Sequence, residues 1–341
     1  MKITYLFGAG ASSATIPLAA KLGADIGPTA ELFRSGLIAL HDRGGGAYPE
    51  DRRPFPKGAY GKALFEALDW LCKTALNHTS VDTIARKLWM RGDSDSMESL
   101  TRLKATLGTY LWYKQISQPS DRRYDTFLAT LLRKASNGKP VLPDTVRLLT
   151  WNYDLLFERS YYEYCLDYSY VMEYLVKAQG IVHLNGFASV VPKIHSALLP
   201  NDYGKFEFSL FAGTEDWYAY AIELFDRSLR FHPADQLVSQ IKFAWVNPES
   251  VRTAVTAATG STILAVVGYS FPYFNREADQ VVLSAMAPSL VKILLQVNGS
   301  IGPKERLLSI LRQVAPTGIW EHKIEDIADA DQIVIPNELI E

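Results

Sequence analysis

The sequence predicts an α/β fold, a doubly wound parallel sheet carrying a helical insertion. Three observations lead there. Short apolar runs end in small polar residues and are followed by helical stretches, the rhythm of strand–helix–strand units. The run Thr262 to Val267 is continuously apolar and rich in β-branched side chains, as a parallel strand buried on both faces should be. At the start of the chain, Ile3 to Phe7 runs directly into Gly8-Ala9-Gly10-Ala11-Ser12-Ser13. A strand that ends in a glycine turn and opens a helix is a phosphate-binding layout, because glycine lets backbone approach a pyrophosphate. The same spacing is also that of an ordinary tight strand-to-helix turn, and Ser13 stands where a dinucleotide fingerprint has its third glycine.

A length of 341 residues fits two domains or one α/β domain with a large insertion. The formal net charge of -2 gives no basic excess, so nucleic acid is not indicated. The two cysteines, Cys72 and Cys165, lie far apart and cannot form a four-thiolate zinc site. They read as free thiols in a reducing compartment, and no metal is expected. No apolar run approaches the ~18–20 residues that cross a bilayer. The chain begins in a strand with no signal-peptide layout, which makes a cytoplasmic location the expectation.

Along the chain, Leu18 to Asp25 reads as a short helix with Pro17 in its first turn. Residues 41 to 61, with Gly44-Gly45-Gly46 and three prolines, read as loop. From 62 to about 135, apolar residues recur at three- and four-residue steps: Leu64, Leu68, Leu71; Leu100, Leu103, Leu107; Phe127, Leu128, Leu131. This predicts three or four helices in one insertion spanning about 40–140, with apolar stripes that are core or a partner-binding face. A strand is predicted at Val146–Thr150, a helix from Leu155 to Tyr164 and a short strand at Ile181–Leu184. A second insertion covers about 187–245, with a helix from Asp216 to Phe231 and an extended piece at Lys242–Val246. Ser250 is placed as the N-cap of a helix from Val251 to Ala258. The C-terminal third reads as strand Thr262–Val267, helix Arg276–Met286, strand Lys292–Val297, helix Glu305–Arg312 and strand Ile319–His322.

In parallel sheets ligands bind beyond the carboxyl ends of the strands. The segments there are Gly8-Ala9-Gly10, Asn152-Tyr153-Asp154, Asn185-Gly186, Gly268-Tyr269-Ser270 and Asn298-Gly299. Asn152 and Asp154 suit either an Asx-turn and helix cap or a site where Asn152 faces the reacting centre and Asp154 holds the loop or a ribose hydroxyl. His183 reads either as a hydrogen-bonded core residue or as a general base, since a free imidazole with a pKa of ~6.5 is largely neutral near pH 7.5. His195 is a reserve candidate, and the other histidines show no ligand spacing.

Taken together, Gly8-Ala9-Gly10-Ala11-Ser12 with Ile16-Pro17, Thr150-Trp151-Asn152-Tyr153-Asp154, a His near Gly186, Gly268-Tyr269-Ser270 and Asn298 occur in the order found in sirtuin-type NAD-binding domains. The chain resembles most closely the SIR2-like proteins of bacterial antiphage defence, whose late motif is similar to Gly268-Tyr269-Ser270-Phe271-Pro272 with Asn275, Arg276 and Asp279. The resemblance implies a Rossmann-like fold over the whole chain apart from the two insertions. It implies that Gly8, Ala9, Gly10 and Ser12 hold the pyrophosphate, that Asn152 and Asp154 face the nicotinamide ribose, that Ser270 and Asn298 contact the adenosine half, and that Gly268 also belongs to the cofactor-binding residues. His183 would be the base. The chain departs from lysine deacylases in lacking a cysteine tetrad and in carrying Leu18-Ala19-Ala20 where they have Asp-Phe-Arg. In the family the catalytic His sits directly before Gly, whereas here Asn185 does, with His183 two residues earlier.

The expectation is therefore an NAD glycohydrolase that releases nicotinamide and ADP-ribose, with NAD as substrate, acting as a defence effector. Because uncontrolled NAD loss is toxic, a homo-oligomer or a complex with a defence-system partner is expected to regulate it. The alternatives are an NAD-sensing module without turnover and a scaffold subunit. A dehydrogenase fits less well, since no acidic residue closes a second strand ~20 residues on.

Overall fold

The computed structural model describes residues 1–42, 59–119, 121–178, 180–192, 217–229, 237–298 and 301–339. His195, His232, Gly299 and much of the two predicted insertions lie outside these residues. The chain divides into two compact units. One comprises Met1–Ile16, Gln118–Phe187 and Lys242–Glu341, the other Pro17–Ser117 and Ala188–Ile241.

The first unit is built on β1 (Ile3–Phe7), followed in the sequence by the small hairpin β2 (Arg133–Lys134) and β3 (Pro140–Val141). Then come β4 (Val146–Thr150) and β5 (Ile181–His183). Strands β6 (Gly186–Pro192) and β7 (Leu237–Ile241) form a two-stranded sheet of their own, which from Ala188 to Ile241 falls in the second unit. The series ends with β8 (Ile263–Val267), β9 (Lys292–Gln296) and β10 (Ile324–Asp326). Six of these strands make one sheet in the order β10-β9-β8-β1-β4-β5. Every pairing in it is parallel. The mixed α/β class with an all-parallel sheet is thus present. The order reverses at β1, with later strands added on either side of it.

The central strands are apolar throughout because both faces are covered. Tyr5 and Phe7 point to one face, where Phe127 lies 4.9 Å from Tyr5 and Tyr124 lies 5.8 Å from Phe7, both edge-on. Leu6 points to the other face, into a cluster with Leu149, Val182, Leu264 and Val266. The register sets Phe7 beside Thr150, and Thr150 beside His183. Partners in a parallel ladder share a face, so His183 lies on the Phe7 side of the sheet. Two helices of this unit supply side chains to that face: Tyr124 and Phe127 from α5 (Arg122–Leu131), Phe157 from α6 (Leu156–Cys165).

Besides that two-stranded sheet, the second unit contains α1 (Leu22–Asp42), α2 (Ala59–Leu76), α3 (Val81–Arg91), α4 (Ser94–Ser117) and the helix Trp217–Leu229. Here the sequence reading fell short at α1, which runs on past Pro28 after a 3-10 turn at Ala19–Lys21. Proline removes one hydrogen bond from the ladder. Burial of Ile26, Ala30 and Phe33 offsets that loss. Asp25 is also anchored, accepting from the Tyr110 hydroxyl at 2.6 Å and pairing with Lys114 at 3.0 Å. Cys72 and Cys165 are free thiols, both half-buried.

Other boundaries also moved. Lys242–Val246 is not extended but closes in a 3-10 turn at Ala244–Val246. Asn247, not Ser250, precedes the helix Pro248–Ala258, because the Ser250 hydroxyl instead donates to Leu184 O at 2.9 Å. The last strand starts at Ile324, since Trp320 is buried and held to Ala315 O at 2.9 Å while Ile319 faces solvent.

The ends of β1 and β8 cross with almost no room. Gly8 N–H donates to Val267 O and Gly10 N–H to Gly268 O, each at 2.9 Å. A Cβ on Gly8 would lie 2.6 Å from Tyr269 Cα, one on Gly10 2.7 Å from Gly268 Cα, and one on Gly268 2.3 Å from Ala11 N. Gly268 also has φ +63. Gly268→Ala is expected to destabilise the fold by about 2–5 kcal/mol, combining overpacking with left-handed backbone. Gly260, at φ +77 with open space around it, bears only the backbone term, so Gly260→Ala should lose about 1–2 kcal/mol. Urea unfolding of the two variants checks this, and equal losses would refute the crossing as the reason for Gly268.

Candidate functional site

The turn after β4 begins with the Asn152 N–H donating to the Thr150 hydroxyl at 3.0 Å. This local bond turns the chain off the strand and directs Asn152 and Asp154 toward the end of β1. There Ser12, in the 3-10 turn Ala9–Ser12, is the hub of a buried cluster. Asn152 Nδ2 donates to Ser12 Oγ at 3.0 Å, and Ser12 Oγ donates to Asp154 Oδ1 at 3.1 Å. The Tyr124 hydroxyl is 3.1 Å from the same Oγ. Since the single Ser12 proton goes to Asp154, Tyr124 is the donor in that contact. Asp154 Oδ1 also accepts from Leu156 N–H at 3.3 Å, so Asp154 braces the start of α6 and joins the site at once.

Ser12 is therefore saturated inside the protein and offers no hydroxyl to a phosphate. The glycines at 8, 10 and 268 are likewise filled by the facing loop, so their missing side chains are accounted for by backbone crossing. Arg123, from α5, braces the same turn. Its Nη2 donates to Ala11 O at 3.0 Å and pairs with Asp121 at 2.6 Å.

Two acceptor atoms in the cluster stay open. The Asn152 side chain bonds through Nδ2 alone, which leaves Oδ1 without a partner among the described residues. Asp154 accepts through Oδ1 alone, leaving Oδ2. Both residues are more than nine-tenths buried. Burial pushes the Asp154 carboxyl up to about 6, assisted by the Glu158 charge and opposed by the Leu156 and Ser12 hydrogen bonds.

His183 sits at the end of β5 and meets oxygen on both sides. Nε2 lies 2.7 Å from Glu158 Oε1 and Nδ1 lies 3.4 Å from the backbone oxygen of Asn152. The side chains of this pair are 5% and 1% exposed. Burial works against a charged ring, yet the Glu158 carboxylate outweighs it and, with the Asn152 carbonyl, holds the His183 pKa above its ordinary value. A ring facing two acceptors donates from both nitrogens only when it carries two protons. His183 thus has both ring nitrogens engaged with oxygen, and is not the unengaged base that an isolated histidine suggested. Asn185 is not an alternative occupant of this place. Its Nδ2 donates to Trp151 O at 3.3 Å and its Oδ1 accepts from Ala244 N–H at 3.0 Å.

On the β8 side, Ser270 and Asn298 are both exposed, and no bond of theirs reaches the Ser12 cluster. Arg306 Nε donates to Ser270 O at 2.7 Å. The segment behind them is locked. The Tyr269 ring stacks on Trp151 at 5.6 Å, and its hydroxyl donates to Asp279 at 2.9 Å while accepting from Asn275 at 3.0 Å. Burial raises the Asp279 carboxyl well above the usual range. Phe271 holds φ 52, a left-handed position unusual for a bulky residue.

The structure thus joins Ser12, Asn152, Asp154 and His183 through hydrogen bonds. It brings Gly8, Gly10 and Gly268 into contact a few residues away, leaves Ala9 exposed at the turn, and keeps Ser270 and Asn298 apart. Sequence reasoning missed Tyr124, Arg123 and Glu158. Only Glu158 left a trace, standing four residues after Asp154 on the same helical face. Among the described residues no cluster of three or more metal-ligating side chains occurs and no helix is long and apolar enough to cross a membrane. No family model, no curated protein and no solved structure matches the chain.

The carboxyl of Asp154 titrates near 6 folded and near ~3.9 unfolded, so the folded state binds the extra proton between these values. The stability this proton lends is fully present below pH ~4 and is lost as pH rises through about 6. Asp154→Asn, which keeps an acceptor for Ser12, should abolish that loss. The difference between wild-type and variant unfolding free energies is expected to change by about 3 kcal/mol across pH 4 to 7. A flat difference would show that Asp154 is ordinarily acidic in the fold.

Proposed function

We propose that the chain cleaves NAD to nicotinamide and ADP-ribose, using Asn152 and Asp154. The observation that carries this reading is the pair of open acceptors, Asn152 Oδ1 and Asp154 Oδ2, in a cluster where every other polar atom of Ser12, Asn152 and Asp154 with a proton to give is engaged. Acceptors without partners fit a ligand that brings hydroxyl donors, and a ribose diol brings two. The position agrees, since the cluster lies beyond the carboxyl ends of β1 and β4, next to the reversal of strand order. In sequence order the sheet strands run 6-5-4-1-2-3, the arrangement of Rossmann-like dinucleotide folds read from the other edge. The SIR2-like resemblance of the same residues supports the reading further.

Nicotinamide leaves as a neutral molecule, taking the electron pair of the C1–N bond. No general acid is needed, unlike in an O-glycoside, although both pass through an oxocarbenium-like transition state. The ribosyl cation is attacked by water, and the resulting strongly acidic oxonium releases its proton to solvent. The side chains therefore have to hold the ribose, orient one water and keep the cation from collapsing elsewhere. Asn152 Oδ1 accepts from that water, and the Asp154 carboxylate, mostly ionised above pH 6, stabilises positive charge close by.

A second reading, NAD or nucleotide binding without turnover, is favoured by one observation: His183 is closed at both nitrogens and supplies no base. The role of a defence effector, and control through self-assembly or a partner protein, rest on the resemblance alone. Incubating the purified chain with NAD and measuring free nicotinamide and ADP-ribose separates the two readings. Cleavage is expected, with Asn152→Ala lowering the rate on the order of 10²-fold through misplacement of water and ribose. Tight NAD binding with no product would establish the second reading instead.

A further inference from the structure

We propose that Glu158 is a positioning residue for this site: its buried carboxylate keeps His183 a doubly donating cation, and that cation fixes the backbone of Asn152. The inference deepens the reading of the Asn152 site as the place of NAD cleavage, and rests on that reading for its kinetic part only.

The number of ring protons decides what His183 can hold. His183 faces Glu158 Oε1 through Nε2 and the Asn152 oxygen through Nδ1. A neutral imidazole has one N–H and can satisfy only one of these acceptors. Its bare nitrogen would then face an oxygen lone pair. With two protons the ring bridges α6 to the turn after β4. Phe187 packs against the ring at 5.2 Å and brings no polar group. The ionisable groups that act on the ring are Glu158, from α6, and Asp154, from the turn before that helix, and both are carboxyls. No cation among them competes for the ring, so their charge favours the imidazolium.

Glu158 depends on His183 in turn. Its second oxygen, Oε2, is fully buried and has no hydrogen-bond partner among the described residues. His183 is the partner of this carboxylate at 2.7 Å, and deleting an imidazolium there would strand a buried negative charge, a strongly destabilising change in other buried pairs. His183→Ala therefore tests folding as much as chemistry. Glu158→Gln is the sharper variant. It keeps the size and an acceptor for Nε2–H, yet removes the charge that holds the second proton. The Nδ1–H bond to Asn152 should be lost, and with it the fixed backbone behind the open Asn152 Oδ1.

The test reads the ring directly. Nitrogen-15 NMR of the six histidines, with His183 assigned by a His183→Gln variant, should show both ring nitrogens protonated at pH 7.5 in the wild type. In Glu158→Gln the His183 signals should become those of a neutral ring at the same pH. A neutral His183 in the wild type overturns the proposal, as does a charged one in the variant. If the variant does not fold, the wild-type titration decides alone. Kinetics supply the second arm. Wild-type nicotinamide release should fall as pH rises past the point where His183 loses its proton. Glu158→Gln should move that alkaline limb to lower pH and lower kcat at least tenfold, with KM changed little. An unmoved pH profile overturns the positioning role. Absence of nicotinamide release from wild-type protein at every pH would count against the cleavage reading, while the NMR arm continues to judge the Glu158–His183 pair.

Discussion

The parallel register of β1, β4 and β5 is the constraint on which the rest of the site depends. It sets Phe7, Thr150 and His183 in one row. That row faces α5 and α6, so the aromatic packing of Phe7 and the polar contacts of His183 arise on the same side of the sheet. A slip of one residue in β5 would carry His183 to the opposite face, among Leu6, Leu149 and Val266, where a buried ring would find no carboxylate. Leu184, which does face that cluster, shows what the opposite face requires. The site is thus specified by the same alternation that buries the sheet.

Much of the fold was legible because its signals are local. β8 announces itself by five consecutive buried apolar residues, and β1 by the glycine turn that ends it. Helices α2, α4 and α5 follow from three- and four-residue apolar steps. The long α1 was not legible, because its support lies far away in sequence, in Tyr110 and Lys114 on α4. Pro28 argued against it locally, and tertiary burial prevailed. The final strand was misplaced for a similar reason. Ile319 and Trp320 look like strand residues, but Trp320 is anchored in a turn by Ala315.

The candidate site shows the same division. Asn152 and Asp154 were visible as polar residues directly after a strand. Their hub was not, since the contacts of Ser12 with Asn152, Asp154 and Tyr124 span 140, 142 and 112 residues. The glycines were visible too, with a different explanation. Sequence reading gives Gly8 and Gly10 a phosphate, whereas the fold gives them Tyr269 and Gly268. Glycine marks close approach in either case, and the pattern does not say what approaches. Ser270 and Asn298 occupy the strand ends named from sequence but share no bond with the cluster, so chain order alone overstated how compact the site is.

The histidine is where charge decides. Read alone, a histidine at a strand end in a nucleotide fold invites the role of base. Read with Glu158 at 2.7 Å and the Asn152 oxygen at 3.4 Å, it has both nitrogens engaged, and the proposed doubly protonated ring has no lone pair to give. The proposed chemistry tolerates this. Water attacking a ribosyl cation becomes acidic in the act, so the reaction's demand falls on acceptors near the sugar more than on a strong base. Asn152 Oδ1 and Asp154 Oδ2 are such acceptors. A free cation beside them would oppose positive charge growing on the ribose, whereas the Glu158–His183 pair is neutral as a unit. With the pair balanced, the ionised Asp154 is the uncompensated charge of the cluster, and its sign favours the transition state.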